Sequence, residues 1–151
     1  IEIDGPEGSA TGMYTLENVT IFSDDSAENG TSGKREFAQF RSSAMGTNKN
    51  ILLVGGLPTS NFTLQDNQGV ADNYNAGNLT FSDIEIVPSA GVTDISTLFT
   101  DSSGLTTFQD DAVGPNGFVT ERSSTADATI GANLGVFGWT WVSVAASALG
   151  F

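Results

Sequence analysis

The sequence contains no cysteine and no histidine. The absence of cysteine excludes disulfides, thiolate nucleophiles and cysteine-based zinc sites. The absence of histidine removes the commonest general base and the commonest transition-metal ligand, so Ser-His-Asp catalysis and histidine-ligated metal sites are excluded as well. The plentiful reactive groups that remain are the carboxylates of aspartate and glutamate.

Positive charge is also scarce. Lysine and arginine total 5 against 18 aspartates and glutamates, and the formal net charge is −13. A chain this acidic is repelled by nucleic acid and by anionic lipid, so neither is expected as a partner. There is no apolar run of about 18 residues, which predicts that no segment spans a membrane. We expect no resident cofactor, with Ca²⁺ as the one candidate that so many carboxylates leave open.

What the sequence does contain is typical of a β-rich protein with many turns. Glycine is abundant, at 18 residues, and short runs carry apolar residues at alternate positions. This alternation predicts strands over 1–3, 14–22, 36–40, 50–56, 61–65, 78–87 and 135–144. One segment is different: Val92 to Phe99 is expected to form one or two helical turns, with Thr93 or Asp94 near the N-cap.

Two all-β architectures are open for these strands. A parallel β-helix, or solenoid, is favoured because the strands are short, the turns are uneven and several strands share an aliphatic, polar, aliphatic pattern. A β-sandwich is the alternative, but it requires strands of similar length joined by tight hairpins, and the Asn-Gly or Asp-Gly turns of such hairpins are scarce. No clean repeat period can be counted in the sequence.

The second part of the chain is expected to differ from the first. Residues 101–133 are polar and predict a long loop that lies across the body. The anchors of this loop are expected to be Leu105, Phe108, Phe118 and Val119. We therefore divide a single domain into parallel β-helix coils over 1–100, and a loop with a C-terminal cap over 101–151.

The last predicted strand carries Trp139 and Trp141 on the same face, because side chains two residues apart point the same way. Two roles are open for this pair of indoles. They either cover one end of the solenoid as a capping strand, or stack on a sugar ring as a ligand-binding site.

Four segments of the chain resemble the C-terminal part of exported right-handed β-helix proteins of marine Bacteroidetes and related bacteria. They are IEIDGPEGSATGMYTLENVTI (1–21), EFAQFRSSAMGTNKNILLVGG (36–56), NYNAGNLTFSDIEIV (73–87) and ATIGANLGVFGWTWVSVAASALGF (128–151). The resemblance implies a right-handed parallel β-helix and a place outside the cell or on its surface. It also implies that further coils precede residue 1 in a longer protein. It implies no particular activity.

Oxygen-rich stretches are the candidate calcium sites, because Ca²⁺ takes six to eight oxygen ligands from carboxylates, amides and backbone carbonyls. Ordinary solvated loop charge is the alternative reading, since none of these stretches matches the EF-hand spacing. The candidate ligands are Asp24, Asp25, Asp66, Asp72, Asp110 and Asp111. In addition, Asp25-Ser26-Ala27 resembles an O-glycosylation motif of Bacteroidetes, with Ser26 as the acceptor.

These features favour a non-catalytic structural or adhesive module, secreted or at the cell surface. We expect it to associate with preceding coils, or end to end with further copies into an extracellular filament or matrix, because a solenoid end presents unpaired backbone groups. We assign no catalytic residue. One alternative is a polysaccharide lyase or glycoside hydrolase, in which arginines act beside carboxylates on one face. Its candidate residues are Arg35, Arg41, Arg122, Glu2, Asp4, Glu17, Asp83 and Glu85. The other alternative is a polysaccharide-binding module that uses the two tryptophans.

Overall fold

The computed structural model describes residues 1–5, 12–23, 36–55, 62–65, 68–89 and 91–132. Within these ranges the chain consists mostly of strands, which form two four-stranded parallel sheets, together with two short α-helices. The broad prediction of a β-rich fold is therefore confirmed. No helix in the described ranges is long and apolar enough to cross a membrane.

Short and long strands alternate along the chain and enter different sheets. The short-strand sheet contains β1 (Glu2–Asp4), β3 (Ala38–Arg41), β5 (Phe62–Leu64) and β7 (Phe99–Asp101). The long-strand sheet contains β2 (Tyr14–Ser23), β4 (Gly46–Gly55), β6 (Leu79–Pro88) and the shorter β8 (Val119–Glu121). One strand from each sheet makes a layer, and four layers stack. Every pairing among the described strands is parallel, whereas the β-sandwich alternative requires antiparallel hairpins.

The strand predictions agree with the structure for β1 to β6. The largest difference is at β4, which begins at Gly46 rather than at Asn50. The predicted helical turns are confirmed as a 3-10 helix over Ile95–Leu98, whose N-cap Asp94 accepts a hydrogen bond from the Ser96 N–H at 2.9 Å. The predicted strand over 135–144 lies outside the described residues.

The prediction of one long loop over 101–133 is wrong, since a helix, a strand and a short 3-10 helix over Thr125–Asp127 lie inside it. Helix α2 (Phe108–Val113) and strand β8 both lie inside it, because the ring of Phe108 is fully buried and β8 extends the long-strand sheet. Leu105 is half exposed, so it does not anchor the segment. A second helix, α1 (Gln68–Asn75), was not predicted, because only Val70 and Ala71 of its residues are buried and two apolar positions make no helical period.

Aromatic rings fill the space between the two sheets. Phe62 on β5 lies 5.1 Å from Phe40 on β3 and 5.7 Å from Phe99 on β7, measured between ring centroids. Phe81 on the opposite sheet lies 5.0 Å from Phe40 and 5.7 Å from Phe62. The edge-on and tilted arrangements are those that aromatic quadrupoles prefer. The two sheets therefore share one core, and each layer packs its rings on the rings of the next.

The long strands β2, β4 and β6 leave the extended conformation at the same position. Asn18, Asn50 and Asp83 have φ values of 58°, 53° and 51°. Asn and Asp tolerate this left-handed region better than other residues with a Cβ, because their short side chains form local hydrogen bonds. The register is unbroken on both sides of the three residues, so each long strand consists of two extended halves that meet at a stacked bend.

Residues 122–132, which we call the strap, run across the outside of the long-strand sheet. The Thr129 N–H donates to Glu85 Oε2 at 2.8 Å, and the Ala132 N–H donates to Thr20 Oγ1 at 3.0 Å. Between them, Gly131 lies against Leu52. Thr20, Leu52 and Glu85 occupy one register position on β2, β4 and β6. The strap therefore crosses three layers.

Candidate functional site

The Arg41 guanidinium lies between two carboxylates of the neighbouring strand β1. Its NH2 is 2.5 Å from Glu2 Oε1, and its Nε is 3.0 Å from Asp4 Oδ1. The hydrogen bond from Arg41 lowers the pKa of Asp4, and a hydrogen bond from the Ser42 hydroxyl adds to the effect. These groups are exposed at the sheet surface, so their charges neutralise one another across two layers rather than facing a cavity.

The carboxylate of Glu85 is only 3% exposed and lies beneath the strap. It forms an ion pair with Arg122 and accepts hydrogen bonds from the hydroxyl and the N–H of Thr129, at 2.7 and 2.8 Å. Burial acts to raise the pKa of Glu85, but the hydrogen bonds from Arg122 and Thr129 outweigh it and lower the pKa. Glu85 is therefore ionised at neutral pH, and both of its oxygens are engaged in holding the strap.

The residues named for a lyase or hydrolase site do not converge. Arg41 with its carboxylates lies on the short-strand sheet, whereas Arg122 and Glu85 lie on and above the long-strand sheet. Glu17 is exposed opposite Lys49 in the strand register, and Asp83 is one of the three bend residues. Arg35 lies outside the described residues. In the described part of the chain, Arg41 and Arg122 therefore pair with different carboxylates on different sheets.

The candidate calcium ligands that the structure describes are on helices rather than in loops. Asp72 lies on α1 and accepts a hydrogen bond from Gln68, while Asp110 and Asp111 lie on α2. The sequence had placed these three aspartates in loops. That prediction was wrong because α1 and α2 are stabilised by apolar residues that are distant in sequence, so no local pattern indicates either helix. No group of three or more His, Cys, Asp or Glu side chains within the described ranges is placed to hold a metal ion. Other named residues lie outside the description: Asp24, Asp25, Ser26, Asp66, Trp139 and Trp141.

The candidate site that the sequence did not reveal is a pair of adjoining hollows beside α2. They have volumes of about 350 and 410 Å³, and both are lined by Phe81 and Asp111. Tyr74 closes one side, with its ring centroid 6.2 Å from that of Phe81, and Phe118 closes the other at 5.6 Å. The two hollows thus form one shallow groove with an aromatic floor, which we call the end groove.

The carboxylate of Asp111 is held in place at the rim of the end groove. Its Oδ2 accepts hydrogen bonds from the Tyr74 hydroxyl and the Thr107 hydroxyl, both at 2.7 Å. Burial and the adjacent carboxylate raise the pKa of Tyr74, so this hydroxyl keeps its proton and acts as a donor. The neighbouring Asp110 also lines the groove. The site can therefore present fixed negative charge beside exposed ring edges.

The comparisons with known proteins identify no relative. No protein-family model, curated protein or solved structure matches the chain. The resemblance to exported β-helix proteins therefore stays a prediction drawn from the sequence segments.

Proposed function

We propose that the chain is a right-handed parallel β-helix and that it serves as a non-catalytic structural and adhesive module of a secreted or cell-surface protein. The observation that carries the proposal is the strict alternation of parallel strands between two sheets, which stacks the layers in one direction. Parallel neighbours such as β1 and β3 are joined by a crossover through the other sheet, and such crossovers are right-handed in about 98% of cases. Each layer is then one coil.

Polar contacts between matched positions of successive layers support a structural role, in which the stack resists separation of its layers. The hydroxyls of Thr63 and Thr100 lie 2.8 Å apart across β5 and β7, and the Thr80 hydroxyl lies 3.5 Å from that of Thr47. The strap adds attachments to β2 and β6 at the same time. Contacts of this kind hold a stack together along its axis, which is what a scaffold or matrix component requires.

The disposition of charge supports a role without catalysis. A carbohydrate-cleaving site needs two carboxylates, or a carboxylate and a free base, on opposite sides of one bond. Arg41 is shared between Glu2 and Asp4, and Arg122 is bound to Glu85 beneath the strap. Their charges are thus used to hold neighbouring layers. The third basic residue of the described chain, Lys49, lies opposite Glu17 at the exposed surface of the long-strand sheet, away from both arginines.

Association through the β2 edge is the second part of the proposal. In the described residues β2 is the outermost strand of the long-strand sheet. The Tyr14 N–H donates to the Met45 carbonyl at 3.2 Å, so Tyr14 faces β4. Alternate residues of a parallel strand face opposite neighbours, so the backbone groups of Thr15 and Glu17 face the open edge. A further coil, from the same protein or from a second copy, satisfies those groups.

The test compares two variants at one edge position. Thr15→Pro removes an N–H that faces the open edge, which an edge strand tolerates, whereas Thr15→Val keeps that N–H. Sedimentation velocity and electron microscopy would follow the size of the particles as the protein concentration rises. We expect the unchanged chain and Thr15→Val to form larger species, and Thr15→Pro to stay monomeric with an unaltered circular dichroism spectrum.

Two results would contradict the proposal. If the unchanged chain remains monomeric at every concentration, association through the β2 edge is wrong. If the chain cleaves any member of a broad panel of polysaccharides, with Ca²⁺ supplied, the non-catalytic role is wrong whatever its state of association. Fractionation of the producing cells tests the location, since the proposal requires the protein in the medium or at the cell surface.

A further inference from the structure

The long-strand sheet ends unevenly at its β8 side. The first half of β6, over 79–82, pairs with the first half of β4, but β8 pairs only with residues 84–86. Among the described residues no strand continues the ladder beyond 79–82. The end groove lies at this place, since Leu79, Thr80 and Phe81 line it. The described residues therefore leave room for one short strand in the fourth layer.

The backbone of β6 presents hydrogen-bonding groups to this room. The Gly46 N–H donates to the Asn78 carbonyl at 2.8 Å, so Asn78 faces β4. Backbone groups of alternate residues in a parallel strand face opposite neighbours. Thr80 therefore also faces β4, and the N–H and carbonyl of Phe81 face away from β4. Exposed sheet edges of this kind bind extended peptides by adding a strand, with side-chain pockets supplying the selectivity.

The lining of the end groove is negative and aromatic. Among the residues that the structure describes, those that line it include Asp110 and Asp111 but no lysine or arginine. Among the described residues, the hydrogen bonds to the Asp111 carboxylate go to Oδ2, which leaves Oδ1 without a partner among those residues. Tyr74, Phe81 and Phe118 provide ring surface beside it. An apolar stem that ends in a cation complements this lining, because the ring edges offer apolar surface to the stem and the carboxylates pair with the cation.

We propose that the end groove binds an extended segment of a partner protein, added parallel to residues 79–82, with a lysine side chain opposite Phe81. The lysine stem lies along the edges of the stacked Phe81 and Phe118 rings, and its ammonium group reaches Asp111. The net charge of −13 attracts such a basic segment from a distance. This site is separate from the β2 edge, so either proposal can fail without the other.

A purely structural role is the rival explanation for the two carboxylates. Asp110 and Asp111 lie in the first turn of α2, where negative charge stabilises a helix end. Adjacent helix positions differ by about 100° in direction, so the two carboxylates do not converge on one ion as Ca²⁺ requires. The structural role predicts that charge removal lowers stability without any change in peptide binding.

The experiment titrates the isotope-labelled 151-residue chain with three synthetic five-residue peptides and follows amide chemical shifts by NMR. The first is an acetylated and amidated Val-Thr-Lys-Thr-Val. The second has norleucine in place of lysine, which keeps the stem and removes the charge. The third keeps lysine but carries N-methyl groups on the backbone, which block strand addition. The protein variants are Asp111→Asn, which can still accept both hydroxyl hydrogen bonds, and Asp127→Asn, which removes the same charge from the strap.

We expect the lysine peptide to bind with a dissociation constant on the order of 1 mM and to shift residues 79–82. Norleucine and Asp111→Asn should each weaken binding about tenfold, because a charge-assisted hydrogen bond is lost. Backbone methylation should abolish binding, and Asp127→Asn should leave it unchanged. If Asp111→Asn does not fold, Asp110→Asn replaces it with the same expected direction.

The proposal is overturned if the lysine peptide produces no shifts at residues 79–82, or if the norleucine peptide binds equally well. Equal binding of the methylated peptide would show that no strand is added, which also overturns it. If Asp111→Asn lowers the sedimentation coefficient of the chain without peptide, the end groove instead binds a second copy of this chain. Shifts at Asp110 and Asp111 with CaCl₂ alone, removed by chelation, would assign it to a metal.

Discussion

The Nδ2 amide of Asn50 donates a hydrogen bond to Oδ1 of Asn18 at 3.2 Å, and both residues have positive φ. The two residues are 32 positions apart in sequence and lie at the bends of successive long strands. One side-chain contact thus joins two residues that are each in a conformation unusual for a residue with a Cβ. The stacked bends lie at the same position of successive long strands, and the contact between them favours this register of the layers.

Replacement of Asn50 tests the importance of this bend. Asn50→Val places a β-branched residue at φ 53°, and we expect a loss of about 2 kcal/mol in the free energy of unfolding. Asn50→Gly permits the same φ and should cost no more than about 1 kcal/mol. Urea unfolding measures both. Lys49→Val, at the adjacent extended and exposed position, is the control, and an equal loss there would refute the strain explanation.

Glu85 is expected to make the fold sensitive to acid. Its pKa in the folded chain is below the ordinary value of 4.5, because the bonds from Arg122 and Thr129 outweigh burial. The unfolded chain therefore takes up the proton first as the pH falls. The stabilisation is complete above about pH 4.5 and is lost as the pH drops through the lower folded-state pKa.

The measurement is the melting temperature between about pH 7 and pH 3 for the unchanged chain and for Glu85→Gln. The variant should have the lower melting temperature at neutral pH, and the difference should shrink as the pH falls below about 4.5. Glu121→Gln, at an exposed position in register with Ile86, serves as the control. A difference that is constant with pH would show that the ionisation of Glu85 does not hold the strap.

Gly131 allows the strap to lie close to the sheet. A Cβ at this position would lie 2.7 Å from the Leu52 Cβ and 2.8 Å from the Thr20 hydroxyl oxygen, and its φ is 106°. Gly131→Ala should therefore lower the free energy of unfolding by about 2–3 kcal/mol. Gly104→Ala also has positive φ but has open space around it, so it should cost only about 1 kcal/mol. Equal losses of unfolding free energy in the two variants would mean that glycine is needed at position 131 for its positive φ alone, and not for the close approach to the sheet.

The ring of Phe62 on β5 joins the rings of the layers on either side of it. It contacts Phe40, Phe81 and Phe99 and is fully buried. Phe62→Ala should lower the free energy of unfolding by about 4 kcal/mol, measured in urea, because a cavity opens between both sheets. Leu105→Ala removes an apolar side chain that is half exposed and should cost less than about 0.5 kcal/mol.

Strands β1 to β6 and the 3-10 turn could be predicted because their signals are local, whereas β7 and β8 were not predicted. Alternation in NLTFSDIEIV already indicates β6, and Asp94 ahead of a short apolar group indicates a cap. The pairing partners could not be predicted, because the spacing between stacked positions is uneven. Thr80 follows Thr47 by 33 residues and Thr100 follows Thr63 by 37, whereas Phe62 follows Ala38 by only 24. Insertions such as α1 hide the repeat.

The bends and the end groove were missed for different reasons. An Asn within an alternating run is compatible with a strand, so only the recurrence of Asn or Asp at Asn18, Asn50 and Asp83 could have indicated a left-handed position. The end groove depends on tertiary structure, because α1, β6 and α2 each contribute part of its lining. Short helices of this kind are stabilised by tertiary packing rather than by helix propensity, so no single segment of the sequence predicts their position.

The parallel stacking of successive layers supports every proposal made for this chain, and NMR tests it most directly. Nuclear Overhauser effects between residues brought together by the register are the observable. We predict contacts between Thr15 and Thr47 and between Thr47 and Thr80, with the backbone pattern of parallel strands. Strong contacts between α-protons of facing residues, which are typical of antiparallel hairpins, would contradict the stacked fold and the function proposed from it.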